Sequence, residues 1–418
     1  MELTRYSTRL RDAISRPVFR VTLANALYSA SSFLVTLLLP FLLEGVIFEQ
    51  TIYTIQMILF LTSILQSTLH VTLYFFYKSE PLESSQFYLL LTSIVLCLLF
   101  LGGFWFDNPL ICWLNLSSLS EREQFLFHLS VFMTCVYAYN KGLNMASKSF
   151  VRMLIVSLVA VVARVVLLLL FYLIGIDSLS MILWGMFILP FVWELVEYFR
   201  SILRTYASWR LNREFVSRFL SYASRIATIS ILSLYADRIF MIKMKEGDPT
   251  FAAAIAFSFG FMGVLALLYT SLSSYFLSSL DMKKQDNLIL YLDKLKRGLL
   301  FFLPFLLFLS ILFALSIETF YPHLGRLYSV VAFISLIKVG LFSYLGMSSL
   351  LSRVLNLLRV EIGFNVLRVG LVWCVCNLFY TEEALLWYIV ALMAQFVPEL
   401  IMNVIIIRKV YSNNVLDA

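Results

Sequence analysis

Charge is scarce in this sequence. Of 418 residues only 14% are Asp, Glu, Lys or Arg, against 61% hydrophobic residues and a mean hydropathy of +0.89. A water-soluble domain carries about 25% charged residues, so a soluble globular class is excluded. Cysteine is sparse and scattered, at Cys97, Cys112, Cys135, Cys374 and Cys376. Cys374 and Cys376 are two apart and would point in different directions on a helix. No pair has metal-ligand spacing, and no disulfide framework is present. The three histidines, His70, His128 and His323, sit in separate segments and read as isolated residues. No metal or cofactor is expected. There is no Asp-x-Asp pair for a metal-bound nucleotide sugar, no P-loop or Gly-rich phosphate cradle, and no Ser/His/Asp constellation. An enzyme is therefore not expected.

The first twenty residues, MELTRYSTRLRDAISRPVFR, contain five arginines on an amphipathic pattern. They lack the short apolar segment and small-residue cleavage site of a secretory signal, so a cleaved leader is not expected. Glu2 and Asp12 count against a mitochondrial presequence.

Long apolar runs are abundant. A membrane-spanning helix needs about 20 mostly apolar residues. Twelve such stretches can be drawn, at 21–43, 51–76, 86–106, 123–146, 153–175, 179–199, 219–242, 250–277, 298–318, 327–350, 360–380 and 384–407. Backbone groups in lipid must be bonded within the segment, which makes these helices; the alternation of a membrane barrel is absent. The expected fold class is an all-α polytopic membrane protein with about 12 transmembrane helices, in two six-helix bundles around a central cavity. Residues 1–20 form a basic cytoplasmic arm and 21–199 the first bundle. A basic cytoplasmic linker occupies 200–218, the second bundle 219–407, and a cytoplasmic tail 408–418. With the N-terminus inside, the inner segments hold 22 Lys and Arg and the outer loops four: Arg122, Lys243, Lys245 and Arg326. That asymmetry places both termini in the cytoplasm. It also explains the net charge of +7 without a nucleic acid partner.

Six cations fall inside the spans: Lys141, Arg164, Arg225, Arg238, Lys338 and Arg368. Asp237, Glu194 and Glu399 are the clearest acids among them. Each charge near the bilayer centre costs about 2.5–3.5 kcal/mol, so one that stays there has a reason. Structural ion pairing tends to balance, and an excess of cations points to an interior that receives anions. Lys141 and Arg225 lie in the cytoplasmic third of their spans and can snorkel instead. Arg238, beside Asp237, can form an interfacial pair. Arg164, Lys338 and Arg368 are deeper and are expected to line a water-filled cavity.

Polar residues recur at helical spacing in several spans. The stripes are Asn25, Ser29, Ser32 and Thr36; Gln56, Ser63, Gln66 and His70; and Ser130, Thr134, Tyr137, Lys141 and Asn144. The second half adds Ser221, Arg225 and Thr228; Glu361, Asn365 and Arg368; and Gln395, Glu399 and Asn403. Spacings of three and four put each set on one side of its helix. Each set is either cavity lining or interhelical hydrogen bonding.

The second half opens on SRFLSYASRIATISILSLYADRIFMIKM, with an Asp-Arg late in the seventh span. AAAIAFSFGFMGVLALLYTSLSSYF and the basic amphipathic loop QDNLILYLDKLKR follow. These segments, with the six-plus-six layout, resemble the multidrug/oligosaccharidyl-lipid/polysaccharide exporter superfamily, and within it the bacterial polysaccharide (O-antigen type) flippases. The resemblance implies a multi-pass protein of the bacterial inner membrane that moves an undecaprenyl-diphosphate-linked oligosaccharide to the outer leaflet. It implies a diphosphate held by cations between two rocking halves. Partners would be the lipid-linked substrate, membrane lipids and a polysaccharide polymerase machinery. The cations to hold the diphosphate are Arg164, Arg225, Lys338 and Arg368, with Lys141 behind them. Asp237, Arg238, Glu194 and Glu399 are candidates for coupling or gating, with H⁺ or Na⁺ undecided. Asn25, Ser29, Ser32, Gln66, Asn144 and Asn365 are candidates for polar lining. Two rival expectations remain. One is an exporter of lipid II or of another small molecule in the same superfamily. The other is a polytopic glycosyltransferase or polymerase, which would use the 107–122 loop with Asp107, Glu121 and Arg122.

Overall fold

The computed structural model describes residues 17–77, 79–102, 109–175, 178–206, 212–261, 285–355, 357–378 and 383–412. Every regular element among them is a helix. In the first half these are α1 (Pro17–Leu42), α2 (Gly45–Tyr77), α3 (Pro81–Gly102), α4 (Glu121–Ala146) and α5 (Phe150–Ile174). The sixth, α6, runs as Leu179–Leu183, breaks, and resumes as Val192–Tyr206. The second half has α7 (Arg213–Gly247), the described part of α8 (Pro249–Phe261), α9 (Gln285–Phe320), α10 (Arg326–Val354), α11 (Leu358–Leu378) and α12 (Ala384–Tyr411). Each of the twelve expected spans overlaps one of these helices, while 103–106, 262–277 and 379–380 lie outside the described residues.

The helices are inside-out relative to those of a soluble protein. On α5 the buried positions are Met153, Ser157, Ala160, Arg164 and Leu168, at helical spacing. Val151, Ile155, Val159, Val162, Val166 and Leu173 are exposed. Polar residues point inward and aliphatic ones outward, as a hydrocarbon solvent demands. Among the described residues, seven helices are long and apolar enough to cross a membrane by length and composition alone. Not among those seven are α4, with Glu121, Glu123 and Lys141, and α7, with Arg225, Asp237 and Arg238. Their charges lower the apolar signal along the polar face.

The chain forms two compact units, 1–230 and 231–418. In the first, α1 packs along α5, while α2, α3 and α6 pack on α4. The first part of α7 belongs here: Phe215 and Phe219 interleave with Phe76 and Phe87, and Tyr222 stacks on Phe75. In the second unit α9 pairs with α10, α11 with α12, and α10 with α12. Leu288, Tyr291, Leu351, Met402 and Ile406 make its core.

Three boundaries differ from the sequence expectation. The 200–218 linker is largely helical, because α6 runs on to Tyr206 and α7 begins at Arg213. The compact units part at Ser230, within α7. The basic loop QDNLILYLDKLKR is the start of α9, so Lys294 and Arg297 ride on a helix. The segment before α4 contains a short helix, Pro109–Trp113, tied down by Tyr53 Oη donating to the Leu114 carbonyl (2.8 Å). It ends in a capping box in which Ser120 and Glu123 bond each other's backbone N–H.

Candidate functional site

The second unit gathers four of the expected charges. Asp237 (α7) accepts from Arg368 Nη2 (α11) at 2.6 Å, and Lys338 Nζ (α10) lies 3.2 Å from the same Oδ1. Arg368 Nη1 also donates to Ser233 Oγ, one turn before Asp237, at 3.4 Å. Both cations lie near one aromatic ring, Phe342, with Arg368 at 5.0 Å and Lys338 at 5.6 Å from its centroid. Arg238, next in the chain, sits 3.5 Å over the ring of Phe259 and in electrostatic reach of Asp237.

Exposure within the cluster is uneven. The side chains of Lys338 and Arg368 are 4% and 5% exposed, that of Asp237 32%. Nε of Arg368 is buried and has no acceptor among the described residues. Deeper along α12, Gln395 Nε2 donates to the Ala236 carbonyl at 2.8 Å, which fixes the turn of α7 that carries Asp237. Glu399 is half-buried, in electrostatic reach of Arg368, Asp237 and Glu361. Asn365 and Asn403 each turn back onto a carbonyl of their own helix, those of Glu361 and Glu399.

Arg164 is placed differently. It is completely buried in the first unit, on α5, with Nε donating to the Met186 carbonyl (2.8 Å) and Nη1 to Ser31 Oγ on α1 (2.9 Å). The carbonyl is there because of Pro190. In a regular helix the Met186 carbonyl would accept from the N–H of residue 190, and proline has none. Helix α6 instead passes through a π turn (Trp184–Ile188) and a 3₁₀ turn (Leu189–Phe191) before resuming at Val192. Arg164 supplies the missing donor, and its guanidinium lies 5.0 Å from the Phe191 ring and 5.9 Å from that of Phe187. A Cβ at Gly185 would stand 2.7 Å from the Phe171 ring, so the glycine lets α5 approach the break closely.

The other expected residues are dispersed. Lys141 is half-buried, in electrostatic reach of His70, whose Nε2 pairs with the Ala138 carbonyl at 2.8 Å. Glu194 is buried and held by Asn140 Nδ2, which donates to its carbonyl (2.8 Å) and its Oε2 (2.7 Å). Arg225 is exposed. Gln66 borders a void of about 10 Å³ with His70, Tyr88, Thr92, Cys135 and Tyr139, room for one water and not for a sugar. Asn144 is buried, Asn25 and Ser32 are half-buried, and the side chain of Ser29 lies outside the described residues. On the α4 stripe, Thr134 bonds the Ser130 carbonyl, Tyr137 Oη pairs with Ser157 Oγ, and the Tyr137 ring stacks on Phe191. Thr134 thus bonds within its own helix, and at Tyr137 the stripe is interhelical packing.

Sequence reasoning missed Ser31, Ser233, Asn140 and Pro190. Pro190, inside an otherwise apolar span, was a readable signal of a break and of a carbonyl in need of a donor. Ser31, Ser233 and Asn140 carry no such mark.

No family model matches the chain, and no curated protein matches it either. Solved structures do. An inward-facing multidrug resistance MATE family transporter of the MOP superfamily is 12% identical, with 96% of each chain covered and a TM-score of 0.56. An outward-facing one is 11% identical, covering 94% of this chain and 95% of that one, at 0.57. This chain has the MATE fold. A MOP superfamily transporter from Pyrococcus furiosus, for which reversed polarity of the binding pocket suggests a different function, is 12% identical over 94% of this chain and 95% of its own, at 0.58. At these identities the likeness is one of fold.

Proposed function

We propose that this protein is a bacterial inner-membrane transporter, both termini cytoplasmic, that moves an anionic lipid-linked substrate outward by alternating access. The substrate we assign is an undecaprenyl-diphosphate-linked oligosaccharide. The observation that carries this reading is the pair of buried cations, Lys338 and Arg368, that share one oxygen of one carboxylate. Two cations converge on one carboxylate oxygen, beside a third at Arg238, with Glu399 in electrostatic reach of Arg368. A guanidinium meets a phosphate bidentately and an ammonium adds a point charge. Moving a diphosphate and a polar glycan across about 30 Å of hydrocarbon needs such a station.

The MATE fold supports transport over catalysis, since inward- and outward-facing structures of it are known. The Pyrococcus furiosus transporter supports pocket polarity as the feature that separates functions within the fold. An exporter of cationic drugs calls for an acidic pocket, whereas two buried cations, Lys338 and Arg368, converge on the one carboxylate of Asp237. Asp237, Glu399 and Glu194 are the carboxylates available for proton or sodium coupling, and a polysaccharide polymerase is the partner such a substrate requires.

The test is the lipid-linked sugar pool of a deletion strain, measured by mass spectrometry of extracted membranes. Accumulation of a complete undecaprenyl-diphosphate repeat unit is expected. Wild type clears it, and Lys338→Met and Arg368→Gln do not. An accumulated lipid II pool would reassign the substrate, unpolymerised glycan already outside would favour an enzyme, and an unchanged pool would remove the proposal.

A further inference from the structure

The unevenness of the Asp237 cluster says more than its net charge. We infer that Asp237 is an exchangeable counter-ion: it occupies the seat of the substrate's phosphoanion and gives it up on binding. This rests on the function proposed above and adds how the site takes and releases its ligand.

Three observations carry it. First, the two cations are about 95% buried and the carboxylate between them is about one-third exposed. An arriving anion therefore meets the carboxylate before it meets the cations. Second, Oδ1 serves both cations while Nε of Arg368 has no acceptor among the described residues. A phosphoanion, with several oxygens on one centre, can accept from Lys338 Nζ, Arg368 Nη2 and that Nε together, a set the one oxygen of Asp237 does not serve. Third, the displaced carboxylate has somewhere to go. Arg238 is the neighbouring residue, already in electrostatic reach of Asp237 and seated over Phe259. The carboxylate changes partner without leaving the cluster, and no bare charge is created.

The same arrangement supplies release. A site with two buried cations and no internal competitor would hold a diphosphate too firmly to let it go. Transport needs binding strong enough to load and weak enough to leave, as in ion conduction. Asp237 returning to Lys338 and Arg368 ejects the anion by competition.

Sign decides the test. The full-length protein, in detergent, is titrated with inorganic pyrophosphate and with farnesyl diphosphate, farnesol serving as the uncharged control. Kd is read from the shift of the melting curve. Lys338→Met and Arg368→Gln are expected to weaken both phosphate probes about tenfold, the worth of one charge-assisted hydrogen bond. Asp237→Asn is expected to tighten both by a similar factor. Saturating pyrophosphate is expected to raise the melting temperature of Asp237→Asn more than that of wild type. Binding of both phosphates marks the headgroup as what is recognised, and farnesyl diphosphate alone marks a lipid phosphate. If Asp237→Asn does not fold, Asp237→Asn with Lys338→Met replaces it, and is expected to bind about tenfold tighter than Lys338→Met alone. Equal or weaker binding by the Asn variant overturns the exchange and leaves the proposed function standing. No binding of either phosphate by wild type overturns both.

Discussion

Two arginines, one in each compact unit, are buried to nearly the same degree and serve different ends. Arg164 is at 0% exposure and Arg368 at 4%. The described acceptors of Arg164 are a backbone carbonyl and a serine hydroxyl; those of Arg368 are a carboxylate and a serine hydroxyl. The carbonyl of Met186 belongs to the chain trace and cannot leave without unfolding the α6 break. The carboxylate of Asp237 is on a side chain, one-third exposed, with a second cation beside it. Burial of a cation in a membrane helix is thus a poor guide to function by itself. What matters is whether its partner can be exchanged. By that measure Arg164 is a pin that joins α1, α5 and α6, and the Lys338–Asp237–Arg368 group is the proposed binding station.

Removing the shared carboxylate is the harshest way to probe this contrast. Asp237→Ala leaves Lys338 and Arg368 in apolar surroundings with their counter-ion gone. Breaking a buried pair from one side costs about 3–5 kcal/mol. Thermal melting in detergent should show the largest loss of any variant considered, part of it restored by added pyrophosphate. Unaltered melting would mean the carboxylate is not neutralising those cations.

Arg164→Met should come next. It keeps the volume roughly and strips a donor from the Met186 carbonyl and from Ser31, at about 1.5–3 kcal/mol for a charged hydrogen bond. The informative quantity is transport per folded molecule. Complementation corrected for protein abundance should stay near wild type for Arg164→Met and collapse for Arg368→Gln. The opposite ranking would return Arg164 to the substrate path, where its depth in the fifth span first placed it.

That reversal bears on what a sequence can convey. The helices were legible, because a 20-residue apolar run in lipid has one backbone solution. The charges of the second unit were legible as well: Asp237, Arg238, Lys338 and Arg368 are too costly in a span to stand without partners, although nothing in their spacing shows that they meet. The role of Arg164 was not, although the residue stood out equally. Its acceptor is a backbone carbonyl, and carbonyls have no letter in the sequence. Ser31 escaped because the stripe that ran through Ser29 and Ser32 drew attention to the adjacent face of the same helix. From spacing alone the α4 stripe fits either cavity lining or interhelical bonding. Spacing cannot tell a water-lined face from one where Tyr137 meets Ser157 across a buried contact.

The finest test concerns Pro190. If Arg164 serves chiefly as the donor that residue 190 lacks, then Pro190→Ala returns an N–H to that position and relieves the Met186 carbonyl. Pro190→Ala alone should change melting little, since Arg164 already occupies the acceptor. In the Arg164→Met background it should recover about 1 kcal/mol, the net worth of an ordinary hydrogen bond. The four melting curves form a double-mutant cycle, and a coupling of that size is within what contacting groups show. Additive effects would mean that Arg164 stabilises the break through the Phe187 and Phe191 rings and Ser31, with the carbonyl incidental. A cycle run on Arg368 and Pro190, residues in different units, should show no coupling, so the same measurement separates the pin from the station.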